Sequence, residues 1–307
     1  MSKRDVVFVD GARTAFGTLG RTLRGFTMEQ LGGIAIKGLV EKTGILEKGA
    51  HVDSVFAGSA IGGTSALNPA RWASLAGGLP MSTAASYVEM QCGSAIDSIN
   101  HAAWRIIAGQ ADIMIAGGME SYSQACVKFP MSTEPYKMIP PMPVQYSLSP
   151  TLDPATMNMG ITAEALQKIY NISRNAQDEF GLRSQTLARK AIDAGYFVDE
   201  IVTVTVPQGK KNPPLEFKVD EHPRMTSMDA LSKLPAAFIK DGTVTAGNAS
   251  GRNDGAIAFG HPNGASGARI CLFTMKELIR RGGKYGCFSS CCGGGLGVAT
   301  IIENLQR

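Results

Sequence analysis

The residue with the clearest chemical potential in this sequence is Cys92, because of where it stands. It lies in the segment Val88–Ser94, where a predicted strand passes into a predicted helix, so its thiol occupies a helix N-terminus. The helix dipole and the free backbone amides at such an end favour a thiolate, which is the nucleophilic form of cysteine. The alternative is an inert thiol that fills a turn, since buried unreactive cysteines are common.

A second candidate is His261, in the loop Gly260–Gly267. The glycines and the proline of this loop fix the imidazole just before a predicted helix over residues 268–280. A histidine held in this way is either functional or satisfies buried hydrogen bonds, and both readings stay open on the residues alone.

A third candidate is Cys291, which follows a predicted strand and precedes Cys292 and the glycine run Gly293–Gly295. This order puts a thiol in a tight turn with free backbone amides, an arrangement suited to an oxyanion hole. The alternative is a glycine turn with an incidental sulfur. A zinc site at residues 287–292 is not expected, because no histidine lies within 20 residues and adjacent cysteines do not easily bind one ion.

The elements that must position these residues alternate over the first 120 residues. Short β-branched runs predict strands at 5–9, 52–57, 86–90 and 112–116, and amphipathic patterns predict helices at 28–42, 68–76 and 93–108. Alternation of this kind indicates an α/β fold with a sheet covered by helices.

The pattern changes after residue 120. Residues 121–160 are rich in proline and methionine, which support neither a helix nor a central strand. Helices are then predicted at 162–170, 174–195 and 268–280, and strands at 201–206, 215–219, 285–290 and 298–302.

Composition and charge exclude several classes of protein. The chain has 307 residues, of which 44% are hydrophobic and 18% charged, enough apolar side chain for a core. Its net charge of +4 is spread without a block of like charge, so we expect no nucleic-acid or membrane partner. No apolar run reaches the length of a membrane span or a signal-peptide core, and six scattered cysteines suit reduced thiols, which together indicate a cytoplasmic protein.

The sequence resembles the thiolase family, the acyl-CoA acetyltransferases, from residue 5 to its end. Six segments carry the resemblance, in the family's order: Gly11–Thr14, Gln91–Ser94, Gly117–Ser121, Ala246–Gly251, Gly260–Pro262 and Cys291–Gly295. The family fold that this implies has two related five-stranded α/β halves, packed with their central helices between the sheets.

The resemblance implies a two-step acyl transfer. Cys92, activated by His261, would attack an acyl-CoA thioester and become an acyl-enzyme. Cys291 would act as general base on the α-carbon of a second acyl-CoA, whose carbanion would then attack the acyl group. The outcome is Claisen condensation of two acetyl-CoA, or of an acyl-CoA with acetyl-CoA, to a 3-oxoacyl-CoA, and in reverse CoA-dependent thiolytic cleavage.

Binding roles follow from the same resemblance. The backbone amides of Cys92 and Gly293 would hold the oxyanion, with no metal and no cofactor, since the coenzyme A thioesters are substrates. Ser250 would contact the pantetheine arm and Arg224 would contact CoA, although Arg224 could equally be a solvated loop charge. We expect a homodimer or a dimer of dimers, although the family's tetramer contact cannot be carried over because residues 130–154 lack a compact basic cluster.

One departure from the family concerns the second half of the chain. The family's Asn-Glu-Ala-Phe motif is absent, and Gly251–Ala256 runs directly into Ile257–His261. The 51 residues from Ile257 to Arg307 suffice for one helix and two strands, not for a five-stranded layer. We therefore expect an incomplete second half with unpaired strand edges.

These observations divide the chain into four parts. Residues 1–120 form the N-terminal α/β half, 121–242 an inserted loop or cap region, 243–256 a return segment, and 257–307 a partial C-terminal half. A decarboxylating ketosynthase on the same fold is a weaker hypothesis, because those enzymes use a histidine where this chain has Cys291. A catalytically impaired protein that binds acyl-CoA or a partner without turnover is the alternative that the shortened second half suggests.

Overall fold

A computed structural model describes residues 4–63, 66–130, 132–137, 143, 147, 149–151, 153–251 and 256–306. The predicted junction Gly251–Ala256 therefore lies mostly outside the described residues, as do Pro140 and Pro141 of the proline-rich segment.

The N-terminal part is built on a parallel three-stranded sheet. Strand β2 (Ser54–Gly58) lies between β3 (Ala84–Val88) and β4 (Met114–Gly118). Every residue of β2 is buried, as expected for a parallel strand with both faces covered.

Helices cover both faces of this sheet. Helices α1 (Met28–Thr43) and α2 (Pro69–Ala76) form a common apolar cluster with Val55 and Ala57. On the other face, Phe56 contacts His101 of helix α3 (Ser94–Ile107). The predicted alternation of strands and helices is confirmed in this region, with boundaries within a few residues.

The predicted strand Asp5–Val9 is wrong. The first strand is instead β1 (Arg13–Thr14), which pairs with β5 (Ile201–Val202), and residues 4–12 run outside any sheet. Val7 and Val9 are 58% and 79% exposed. The β-branched run is not a strand because propensity alone does not form one: a strand needs backbone pairing with a partner, and in the described chain the run does not pair with the free edge of β4.

The middle of the chain forms a helical layer with a small hairpin. Its members are α4 (Met159–Tyr170), α5 (Arg174–Asp193), β6 (Val204–Val206), β7 (Leu215–Phe217) and α6 (Met228–Ser232). The single strand predicted at 201–206 is divided, since its first two residues pair with β1 and its last three with β7. The Arg13 guanidinium, ion-paired with buried Glu200 and Asp220, ties this region to β1.

The last part contains α7 (Ala256–Phe259), α8 (Ser266–Arg281), β8 (Tyr285–Gly293) and β9 (Leu296–Glu303). Within the described residues, β8 and β9 pair only with each other, which confirms the prediction of unpaired outer edges. None of the described helices has the length and apolar character needed to span a membrane.

Two central helices lie between the parallel sheet and the β8–β9 hairpin. Ile96 and Ile99 of α3 pack against Cys271 of α8 and Phe288 of β8 in one buried cluster. The expected layered arrangement is confirmed, with a second half reduced to one helix layer and a hairpin. The N-terminal ends of α3 and α8 are where the candidate site residues lie.

Candidate active site

Cys92 is half-buried in a short 3₁₀ turn, Gln91–Gly93, directly before α3 begins at Ser94. The Ser94 hydroxyl closes this turn, because it accepts a hydrogen bond from the Met90 N–H at 2.9 Å and donates to the Gln91 carbonyl at 2.6 Å. Gln91 adopts the left-handed region, with φ of 49°. The thiol thus stands at the helix N-terminus, as the sequence predicts.

The charge state of Cys92 differs from the expectation. Burial raises the pKa of its thiol to about 11, and the neighbouring Cys291 and Cys292 add to the rise. Burial thus opposes the thiolate that the helix N-terminus is expected to favour. At neutral pH Cys92 is a thiol that needs a base to become a nucleophile.

Strand β8 brings Cys291 and Cys292 to the Cys92 turn. The Ser290 hydroxyl donates a hydrogen bond to the Cys92 carbonyl at 3.1 Å, across 198 residues of sequence. A Cβ atom on Gly93 would lie 2.4 Å from the Cys292 Sγ, so only glycine permits this approach. The structure thus joins two of the three predicted catalytic segments.

The glycine turn after Cys291 has the conformation that its sequence suggests. Gly293, Gly294 and Gly295 all have positive φ, and a register shift separates Cys291 from Gly293. The Gly293 N–H donates to the Cys291 Sγ at 3.5 Å, and Cys291 itself is exposed. The predicted oxyanion amide therefore faces the sulfur of the predicted base, and its binding role stays a prediction.

His261 is fixed on two sides. Its Nδ1 forms a 2.7 Å hydrogen bond with the Ser266 hydroxyl, and its backbone N–H donates to the Gly251 carbonyl at 3.0 Å. Burial and the positive charge of Arg269 lower the pKa of the imidazole, which keeps the ring neutral at neutral pH. In the described chain no hydrogen bond joins this ring to Cys92, so the predicted pair stays a prediction.

Two glycines let the His261 loop lie directly on neighbouring backbone. A Cβ atom on Gly264 would lie 2.2 Å from the Cα of Ser59, and one on Gly267 would lie 2.5 Å from a side-chain carbon of Ile96. Because Ile96 belongs to the first turn of α3, the His261 loop and the Cys92 turn meet at one helix end.

Glu120 is a buried residue of this site whose role the sequence reasoning missed. Its carboxylate accepts hydrogen bonds from the Ser59 hydroxyl at 2.5 Å and from the Gly264 N–H at 2.8 Å. Burial raises its pKa, while these hydrogen bonds act in the opposite direction. The available signal was its place in Gly117–Ser121, directly after β4.

One of the two residues predicted to bind CoA lies on the surface loop 246–251, and the side chain of the other reaches that loop. Ser250 is exposed, and its hydroxyl donates to the Gly251 carbonyl at 3.3 Å. The Arg224 guanidinium donates to the Ala246 carbonyl of the same loop at 3.2 Å. Their proximity fits a shared ligand, and both binding roles stay predictions.

The six cysteines are all free thiols. Across the residues that the structure describes, no group of three or more His, Cys, Asp or Glu side chains could hold a metal ion. The neighbouring Cys291 and Cys292 add to the raised pKa of Cys92, after the larger effect of burial.

Two family models match the chain. The model described as "Thiolase, N-terminal domain" matches residues 6–259, and the model described as "Thiolase, C-terminal domain" matches residues 239–304.

Named relatives agree with these matches. The chain is 35% identical to the acetyl-CoA acetyltransferase of Chromobacterium violaceum and 33% identical to that of Cupriavidus necator, each alignment covering 97% of this chain and 99% of the relative. Its fold is similar to the crystal structure of the Bacillus anthracis acetyl-CoA acetyltransferase, with a TM-score of 0.85, 28% identity, and coverage of 98% of this chain and 99% of that one.

The same alignments show how this chain is shortened. The alignment with the Chromobacterium violaceum protein spans 392 positions, whereas this chain has 307 residues, so at least 85 positions have no counterpart here. Since both ends of the chain align, this fits the internal loss that the missing Asn-Glu-Ala-Phe motif suggests.

Proposed function

The chain belongs to the thiolase family, and from this membership we propose that it is a thiolase-type acyltransferase that works through an acyl-enzyme on Cys92. Its reaction is the condensation of two acetyl-CoA, or of an acyl-CoA with acetyl-CoA, to a 3-oxoacyl-CoA, together with the reverse thiolytic cleavage by CoA. The observation that carries the proposal is the hydrogen bond from Ser290 to the Cys92 carbonyl, which holds the Cys291 strand at the Cys92 turn.

In the first step, the neutral imidazole of His261 takes the proton of the Cys92 thiol. The sulfur attacks the thioester carbonyl carbon, the bond between that carbon and the CoA sulfur breaks, and CoA leaves with the proton that His261 returns. The raised pKa of Cys92 and the lowered pKa of His261 fit general-base catalysis, in which a neutral imidazole removes the thiol proton only as the sulfur attacks.

In the second step, Cys291 reacts as its thiolate and removes a proton from the α-carbon of the second acyl-CoA. The carbanion attacks the acyl carbonyl on Cys92, a carbon–carbon bond forms, the bond to the Cys92 sulfur breaks, and the proton held by Cys291 passes to that sulfur. The exposed position of Cys291 supports this role, since the second substrate must reach it after the first product has left. The amides of Cys92 and Gly293 would stabilise the oxyanion of both tetrahedral intermediates.

The substrates are bound, in this proposal, through the loop that carries Ser250. Ser250 would contact the pantetheine arm, and the exposed Arg224 guanidinium beside Ala246 would pair with CoA phosphates. The reaction needs neither a metal nor a separate cofactor, because the thioester supplies the activated carbonyl.

Location and assembly are proposed on fewer grounds. Six free cysteines fit a reducing compartment such as the cytoplasm. A homodimer or a dimer of dimers is the expected assembly, and the outer edge of β3, which carries no strand in the described chain, leaves room for pairing between copies. Neither nucleic acid nor a membrane is an expected partner.

A catalytically impaired chain that binds acyl-CoA without turnover is the second candidate. It is favoured by the absence of at least 85 aligned positions and by the absence of the Asn-Glu-Ala-Phe motif from this chain. A raised pKa of Cys92 fits this candidate too, because a thiol without an effective base stays protonated.

The deciding experiment is the intact mass of the 32.4 kDa chain after incubation with acetyl-CoA and an acid quench, followed by peptide mapping. Proposed catalysis requires one acetyl group on Cys92. Cys92→Ala must abolish the label, whereas Cys126→Ala, which removes an exposed thiol elsewhere, must not change it. An unlabelled chain that still binds CoA in calorimetry would establish the impaired candidate instead.

A further inference from the structure

Glu120 is a buried carboxylate that joins the parallel sheet to the His261 loop at this site. It follows β4 directly, and only 7% of its surface is exposed. Its Oε1 accepts a hydrogen bond from the Ser59 hydroxyl at 2.5 Å, and its Oε2 accepts from the backbone N–H groups of Ala60 and Gly264, each at 2.8 Å. Both oxygens therefore act as acceptors, as an ionised carboxylate does.

These contacts bridge two segments that are far apart in sequence. Ser59 and Ala60 begin the loop after β2, and Gly264 lies three residues after His261. Hydrogen bonds to a charged acceptor are stronger than neutral ones, and burial keeps them from competing with water. Glu120 thus attaches the His261 loop to the ends of the parallel sheet through charge-assisted hydrogen bonds.

The backbone around this attachment has no spare room. A Cβ on Gly118 would lie 2.1 Å from the Gly264 carbonyl oxygen, and a Cβ on Gly264 would lie 2.2 Å from the Cα of Ser59. The loop is therefore pressed against the ends of β2 and β4, and the carboxylate supplies the directional bonds that fix its register there.

We propose that Glu120 is a positioning residue of the acyl-transfer reaction. It holds the His261 loop against the sheet, so that the imidazole can take the proton of the Cys92 thiol. This inference rests on the proposed function, because it assigns Glu120 to the same site. Glu120 acts through the loop and does not touch the reacting atoms.

The charge of Glu120 adds a second effect of opposite sign. Burial, Cys291 and Cys292 raise the pKa of Cys92 most, and the charge of Glu120 adds to this rise. Replacing the carboxylate by an amide therefore makes the Cys92 thiol easier to ionise, while it releases the loop that carries His261. A purely electrostatic role would make Cys92 more reactive, and a positioning role would make it less reactive.

The test is a double-mutant cycle on the alkylation of Cys92 by iodoacetamide, which needs no acyl-CoA. Four proteins are alkylated at about pH 6.5 to 8, below the pKa of the thiol: wild type, Glu120→Gln, His261→Asn and the double variant. Mass spectrometry then quantifies the alkylated Cys92 peptide. We expect Glu120→Gln and His261→Asn each to slow alkylation by about tenfold or more. In the His261→Asn background, Glu120→Gln must not slow it further.

A matched control separates positioning from general damage. Ser59→Ala removes one hydrogen bond to the same carboxylate but leaves the bond to Gly264, so Cys92 alkylation must stay within about twofold of wild type. The proposal is overturned if Glu120→Gln slows Cys92 alkylation equally with His261 and with Asn at position 261. It is also overturned if Glu120→Gln does not slow alkylation when His261 is present. A wild-type chain that is not acetylated by acetyl-CoA but shows the expected cycle contradicts the proposed function alone.

Discussion

Gly93 and Cys292 lie so close that a Cβ atom on the glycine would be 2.4 Å from the cysteine Sγ. The backbone of Gly93 has φ of −88°, which an alanine adopts without strain. The requirement for glycine therefore comes from the sulfur and, to a lesser degree, from a Val298 methyl carbon at 2.8 Å. One contact between residues distant in sequence thus controls how closely β8 approaches the Cys92 turn.

We predict that Gly93→Ala destabilises the protein by about 1–3 kcal/mol, as overpacking of a buried contact does. Cys292→Ala, which removes the Sγ atom, should recover part of this loss in the double variant, while Val298 still crowds the new methyl group. Urea unfolding of the four proteins gives the coupling free energy. Strictly additive effects would show that the two side chains do not meet as described.

A second prediction concerns the pH dependence of Cys92. Because burial raises its pKa to about 11 from an ordinary value of 9.0, its thiolate fraction at neutral pH is about 100-fold lower than that of an ordinary thiol. In the His261→Asn variant, where no imidazole assists, its alkylation rate should rise about tenfold per pH unit from pH 8 to 10 without a plateau. Peptide mass spectrometry follows Cys92 separately from the exposed Cys126, and a plateau below pH 9 would contradict the burial described here.

The contrast between Cys92 and its prediction shows what local sequence leaves out. The strand, the turn and the helix start around residues 88–94 can be predicted from local pattern, and they form where expected. The pKa of Cys92 cannot, because it depends first on burial and then on Cys291 and Cys292, which come from the far end of the chain. Helix dipoles act locally, whereas desolvation is set by whatever packs on top.

The same limit explains the failed strand at Asp5–Val9. A β-branched run has the propensity for a strand, but pairing is a contact with another segment, and sequence propensity does not supply that segment. By contrast, the unpaired edges of β8 and β9 could be predicted, because the number of residues after Ile257 is too small for further strands. Chain length limits topology more firmly than propensity does.

A third prediction concerns the free edge of β4. The N–H of Met119, directly after β4, donates to the Gly58 carbonyl of β2. Because N–H groups alternate sides along a strand, those of Ile115 and Gly117 point towards β2, while those of Met114 and Ala116 point away from it. On that side lies a cavity of about 570 Å³, lined also by residues 4–9. Hydrogen exchange at Met114 and Ala116 should be about tenfold or more faster than at Ile115 and Gly117.

Equal exchange at odd and even residues would show that another segment pairs with this edge. Asp5–Val9 is the neighbouring segment best suited by composition, so protection of its amides in the same experiment would identify it as that strand. As a control, amides of β2, which is paired on both sides, should all exchange slowly.

The last prediction is a loss of stability in alkali caused by buried thiols. Burial raises the pKa of Cys271 to about 12, so above the ordinary value of 9.0 the unfolded chain ionises this thiol while the folded chain keeps it protonated. Stability therefore falls as pH rises, by about 1.4 kcal/mol at pH 10 for this residue. Cys271→Ala should be less stable at pH 8, because it leaves a small cavity, yet lose less stability between pH 8 and 10. Urea unfolding at both pH values measures the difference, and an unchanged loss in the variant would mean that Cys271 does not cause it.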